Sequence, residues 1–95
     1  MLEKDIERKV TDWCKKNDIF QSKIMNMPGF PDRIFWVRGG KPVLLEFKKP
    51  ETGRVSPLQA HIMNTLRERG YDVHVVDNFD DAKRILCNGN PISTR

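Results

Sequence analysis

Cysteine and histidine are scarce in this chain, two of each in 95 residues, and those present are scattered. Cys14 and Cys87 stand in separate segments and neither belongs to a C-x-x-C pair, which argues against a structural zinc site. The two thiols are free to bridge, but nothing else in the sequence points to secretion, so reduced, partly buried cysteines in a cytoplasmic protein are expected. His61 and His74 lack the spacing of metal ligands and read as helix-surface and strand-surface residues. Long apolar runs are missing as well. Nothing approaches the roughly 18 consecutive apolar residues of a membrane span, and the opening MLEKDIERK is charged where a signal peptide needs an apolar stretch. A soluble chain without a membrane partner follows. There is also no internal repeat, low-complexity tract or interdomain linker.

What is present fits one small domain. A chain of this length buries roughly 60–65% of the surface its extended form exposes. Its 38% hydrophobic content lies largely in periodic blocks, so an ordered core is expected. The domain is placed at residues 1–87, with 88–95 (NGNPISTR) as an aperiodic, flexible tail. Seventeen Lys and Arg against thirteen Asp and Glu leave a net charge of +4, which favours an anionic partner without requiring one.

Leu2, Ile6, Val10, Trp13 and Cys14 recur at helical spacing, predicting an amphipathic first helix over residues 2–16 that ends at Lys15-Lys16. Ile19 to Ile24 alternates weakly and predicts a strand. Two prolines and a glycine in Pro28-Gly29-Phe30-Pro31 make the next stretch a loop. Ile34–Val37 and Val43–Phe47 are rich in β-branched and aromatic residues, with Arg38-Gly39-Gly40-Lys41 as the reversal and Pro42 at a strand start. Ser56 is a predicted N-cap, with Pro57 at N1 and Gln59 at N3 closing a capping box. Leu58, Ile62 and Leu66 form the expected buried stripe of that helix, flanked by Met63, and Gly70 stops it. Tyr71 to Val76 predicts a strand with Tyr71, Val73 and Val75 on one face. Asp77 or Asn78 would cap a short last helix from Phe79 to Leu86 or Cys87, held by Phe79, Ala82, Ile85 and Leu86. A helix between the third and fourth strands fits a crossover connection, so the predicted class is α/β: a mixed four-stranded sheet flanked by helices.

The most informative spacing is Pro31-Asp32, then thirteen residues, then Glu46-Phe47-Lys48. On the second hairpin strand Leu44, Glu46 and Lys48 share one face, while Val43, Leu45 and Phe47 share the other. A partner strand with Asp32 at its start brings that carboxylate toward Glu46. Two carboxylates held together repel unless a proton or divalent cation lies between them. Hard oxygen donors with a lysine alongside are a reasonable phosphodiester-hydrolysis site. The plainer reading is a hairpin with ordinary charges on its exposed face. Against it, Glu46 sits in the most apolar segment of the chain, where a carboxylate needs a partner.

KDIERK, GFPDR, VLLEFKKPETGRVSPLQ and LRERGYDVHVVDNFDDA together resemble the VRR-NUC family of the PD-(D/E)xK nuclease superfamily, across roughly residues 3–86. The resemblance implies a restriction-endonuclease-like core. It implies Mg²⁺ or Mn²⁺ held by Asp32, Glu46 and the Phe47 carbonyl, with Glu7 completing the metal site. It further implies Lys48 as the catalytic lysine, Gln59 near the active site and Lys23 beside the scissile phosphate. Gln59 also has a sufficient structural role as a capping residue, and Glu7 also reads as a helix-surface charge with Glu3 as its alternative. The implied activity is metal-dependent hydrolysis of DNA, structure-selective on branched or four-way junction DNA, by a homodimer. Lys41, Lys49, Arg54, Arg33 and Arg38 are the candidate phosphate contacts. Trp13, Trp36 and Phe35 are candidate interface or core aromatics. A catalytically silent DNA-binding module and a small structural or interaction protein are the alternatives. No recognition helix or aromatic stacking platform for bases is evident.

Overall fold

The computed structural model describes residues 1–88. Its elements run α1 (Glu3–Lys16), β1 (Phe20–Lys23), β2 (Arg33–Val37), β3 (Lys41–Phe47), α2 (Pro57–Glu68), β4 (Asp72–Val76) and α3 (Phe79–Asn88). The four strands lie in sequence order: β1, β2 and β3 are antiparallel, and β4 joins β3 in parallel after the α2 crossover. The expected mixed sheet flanked by helices is therefore present. Boundaries differ from expectation by one or two residues, as fraying ends allow. The predicted tail begins at Asn88, which closes α3; the rest of it lies outside the described residues.

The two sheet faces are packed differently. Ile6, Val10 and Cys14 of α1, with Ala82 and Leu86 of α3, close over Phe35, Val37, Val43, Leu45, Phe47 and Val76 in one continuous core. Trp13 and Phe79 meet edge-to-face across α1 and α3, with ring centroids 6.2 Å apart. Cys14 is fully buried within this core, and burial pushes its thiol pKa up to about 12, so it behaves as a small hydrophobe. Leu2, expected on the α1 stripe, instead precedes the helix and is exposed.

The opposite face carries a smaller cluster of Leu44, Val73 and Met63, with Ile24, Ile34 and Leu66 against it. Here two expectations are corrected. Met63, placed on the flank of α2, is its buried residue, and Leu58 is 49% exposed. The helix lies over the β4 side of the sheet, so the side of α2 that turns inward is narrower than the hydrophobic stripe. Tyr71 precedes β4 and is exposed, and Val75 is exposed beside buried Val73. Phe35, read as either interface or core, is wholly buried in the larger core, whereas Trp36 next to it is exposed.

Candidate active site

Asp32 enters the site through the hairpin. Its backbone N–H donates to the Leu45 carbonyl at 3.0 Å, and Ile24 N–H donates to the Asp32 carbonyl at 2.8 Å, extending the β1–β2–β3 ladder one step beyond β2. The side chain then accepts from Phe47 N–H at 2.8 Å through Oδ2. The preceding turn depends on Gly29, which has φ +81° and lies under α2. A Cβ there would stand 2.7 Å from Leu58 Cγ, so the glycine of the GFPDR segment allows both the turn and the close approach of the helix.

Glu46 points from β3 toward the α2 side, and only 3% of it is exposed. Its Oε2 accepts from Gln59 Nε2 at 3.0 Å and lies 3.1 Å from Lys48 Nζ. Lys48 Nζ also donates to Gln59 Oε1 at 3.0 Å. Gln59 simultaneously caps α2: its Oε1 accepts from Ser56 N–H at 2.9 Å, while its own N–H donates to Ser56 Oγ at 3.1 Å. The structural and site roles are thus compatible in a single rotamer, because the amide oxygen has two lone pairs and the amide nitrogen faces Glu46. Gly53 tucks the following loop against this strand end. A Cβ at Gly53 would stand 2.8 Å from Lys48 Cβ and 2.7 Å from the Lys49 carbonyl.

Burial pushes the Glu46 carboxyl above its ordinary range, and Asp32 adds repulsion, against the pull of Lys48. Asp32 is likewise raised, first by burial; the Phe47 N–H opposes this, and Glu7 and Glu3 add to it. Glu46 Oε1 is buried and has no hydrogen-bond partner. An orphaned acceptor is costly in a protein interior, and here it belongs to a carboxylate already repelled by another. Asp32 and Glu46 therefore fit a hard divalent cation by donor chemistry and by unmet charge. Among the described residues there is no cluster of three or more His, Cys, Asp or Glu side chains arranged to hold a metal.

Glu7, expected from the resemblance to complete the metal site, lies near enough for its charge to act on Asp32 and is held by an arginine. Its Oε2 accepts from Arg33 Nε at 2.5 Å, with both side chains mostly buried, and Arg33 Nη1 donates to Gln21 Oε1 at 2.6 Å. Arg33, read from the sequence as a phosphate contact, is engaged inside the protein. Alternation along β2 carried a signal for this, since Arg33 shares a face with Phe35 and Val37, and a charge on that face needs an internal partner. Lys23 is exposed at the end of β1, in register with Arg33 and one step from Asp32. Lys49 is exposed beside Lys48, and Arg54 donates to the carbonyls of Glu51 and Gly53. Arg38 pairs with Asp18, and it and Lys41 lie at the hairpin tip, roughly 16–20 Å along the strands from Asp32.

A carboxylate at a strand entry, a Glu-x-Lys strand end and a glutamine in the following helix, on a mixed sheet between helices, define the PD-(D/E)xK class of nuclease fold. A family model for the VRR-NUC domain matches residues 2–79, and the chain belongs to that family. Two solved structures share the fold. One, described as a VRR-NUC domain, has 21% identity and a TM-score of 0.76, with 87% of this chain and 91% of the other covered. The second, a VRR-NUC domain protein, has 20% identity and a TM-score of 0.78, covering 95% and 91%. No curated protein matches the chain.

Proposed function

We propose that the protein is a metal-dependent deoxyribonuclease that hydrolyses phosphodiesters at Asp32, Glu46 and Lys48. The observation that carries this reading is the buried, unpartnered Glu46 Oε1 beside a second carboxylate and an ammonium. Asp32, Glu46 and the Phe47 carbonyl would hold Mg²⁺ or Mn²⁺, which when bound supplies Lewis-acid polarisation of the phosphodiester and a more acidic water. Lys48 holds positive charge where negative charge develops during in-line attack. Gln59 fixes Lys48 and Glu46 relative to each other by bonding both, and it is fixed in turn by Ser56 at the start of α2. Arg33 holds Glu7, whose charge adds to the burial that raises the Asp32 carboxyl. Exposed Lys23 and Lys49 contact flanking phosphates, giving salt-dependent and largely sequence-independent affinity.

The active species in this reading is a homodimer with two cleavage centres, acting preferentially on branched or junction DNA. The small size of the chain supports it, since one protomer has little surface left to grip a long duplex. The test is cleavage of linear, single-stranded, flap and four-way DNA by purified protein, with Mn²⁺, Mg²⁺ or EDTA in parallel, alongside sedimentation of the free and DNA-bound protein. Cleavage in either metal, absence of cleavage in EDTA and faster cutting of branched DNA are expected. DNA binding without cleavage in any metal would leave a silent binding module. Equal single-turnover rates on linear and branched DNA would remove the structure preference, and a monomer in both states would remove the dimer.

A further inference from the structure

On the α2 side of the sheet, an apolar groove of about 440 Å³ runs away from the candidate active site, and nothing in the nuclease chemistry accounts for it. Ile34 and Leu44 line it, two residues along the chain from Asp32 and Glu46 respectively, so it begins about 7 Å from the carboxylate pair. Its other walls are apolar and include three aromatic rings: Phe30, two residues before Asp32, then Trp36 and Tyr71, which are 45% and 47% exposed. The Trp36 indole N–H donates to Ser22 Oγ at 3.3 Å, which ties the ring to β1. At its far end the groove continues past Tyr71 into a second hollow lined by exposed Lys41. Asp72, which shares that hollow, is bonded to His74 at 2.5 Å.

We propose that this groove binds the unpaired bases of the DNA strand whose phosphodiester is presented to Asp32, Glu46 and Lys48. The proposal rests on the nuclease reading for its orientation and deepens it by naming the substrate feature recognised. Two features favour a nucleic-acid strand over another occupant. The floor is apolar and carries three aromatic rings, Phe30, Trp36 and Tyr71, and the exposed cation Lys41 stands at the far hollow. This is the pattern a single strand requires, since its bases stack while its phosphates seek positive charge. The groove also begins two residues along β2 and β3 from the residues assigned to the phosphodiester, so a strand in the site has a short path to it. Paired bases are stacked inside a duplex and cannot enter, which makes the groove a reader of unpaired DNA. With apolar and aromatic walls it recognises π-faces rather than base edges, so little base preference follows.

The test is fluorescence anisotropy in EDTA, where cleavage plays no part, with a short labelled oligothymidylate and an abasic strand of equal length. The wild type is expected to bind the thymidylate about tenfold more tightly, within the range of a single base–aromatic stack. Trp36→Ala is expected to lose most of that preference while keeping its affinity for the abasic strand, and Trp36→Phe to retain it. Equal wild-type affinity for the two strands, or an undiminished preference in Trp36→Ala, would overturn the proposal. So would a Trp36→Ala protein that sediments as a smaller species than the wild type, because the face would then belong to a second copy. Failure of the nuclease reading shows up separately, as cleavage that persists in EDTA or is absent from every DNA tested, branched or single-stranded.

Discussion

The two faces of the sheet divide the work of this molecule. Under α1 and α3, buried residues form one continuous apolar core, from Ile6 and Val10 through Phe35 and Leu45 to Leu86. Under α2 the buried set shrinks to Leu44, Met63 and Val73, and the rest of the face holds the Glu46–Lys48–Gln59 network and the open aromatic groove. Concentrating burial on one side lets the other carry unmet charge and exposed rings without losing the fold. Asp32 and Glu46 can therefore sit in a strained electrostatic state that a purely structural face would not retain.

The contrast breaks most visibly in the larger core. Phe35→Ala removes a fully buried ring and should cost about 3–5 kcal/mol, against a typical total of about 5–15 kcal/mol for a domain; urea unfolding with the variant in parallel measures it. On the other face the largest effect is on rate rather than stability. Lys48→Ala and Glu46→Ala should each lower cleavage at least about 100-fold while leaving the circular dichroism largely unchanged. Near-wild-type cleavage by either purified variant would remove them from the site.

The division also predicts opposite signs for one substitution. The Asp32 and Glu46 carboxyls are raised in the fold, chiefly by burial. Their contribution to stability is greatest at low pH, where they are neutral in both states. It declines as pH rises through the ordinary carboxylate range, because the unfolded chain gives up its protons first. Asp32→Asn should flatten that decline and raise the melting temperature in EDTA near neutral pH, by roughly 4–8 °C for each kcal/mol relieved. Asp81, lowered by Asn78 and Arg84, acts in the opposite direction, and subtracting the variant from the wild type cancels it. An unchanged melting temperature would mean that Asp32 carries no electrostatic penalty. The smallest effect belongs to Phe20→Ala, a 73% exposed ring on the α2 side in register with Trp36, which should change stability by no more than about 0.5 kcal/mol.

Much of this was legible in the sequence, because period and punctuation act locally. The helical spacing of Ile6, Val10 and Cys14, the Gly39-Gly40 reversal and the Ser56–Gln59 capping box each specify their element without reference to the rest of the chain. The convergence of Asp32, Glu46 and Lys48 was legible too, since a hairpin turns sequence spacing into cross-strand distance. What depended on how elements stack was not. The choice of Met63 over Leu58 as the buried residue of α2 is set by how much of the sheet the helix covers. The capture of Arg33 by Glu7 requires α1 to arrive from 26 residues away. The aromatic groove escaped for the same reason: alternation assigns Trp36 to a face but cannot say whether anything covers it.

The central claim is that Asp32 and Glu46 form a divalent-cation site, and isothermal titration of Mn²⁺ into the wild type and Asp32→Asn tests it most directly. The substitution removes one charge with little change of shape, so altered packing is a poor explanation for any loss. Binding by the wild type that is lost or strongly weakened in Asp32→Asn is the predicted result. Equal Mn²⁺ affinity in the two proteins would contradict it.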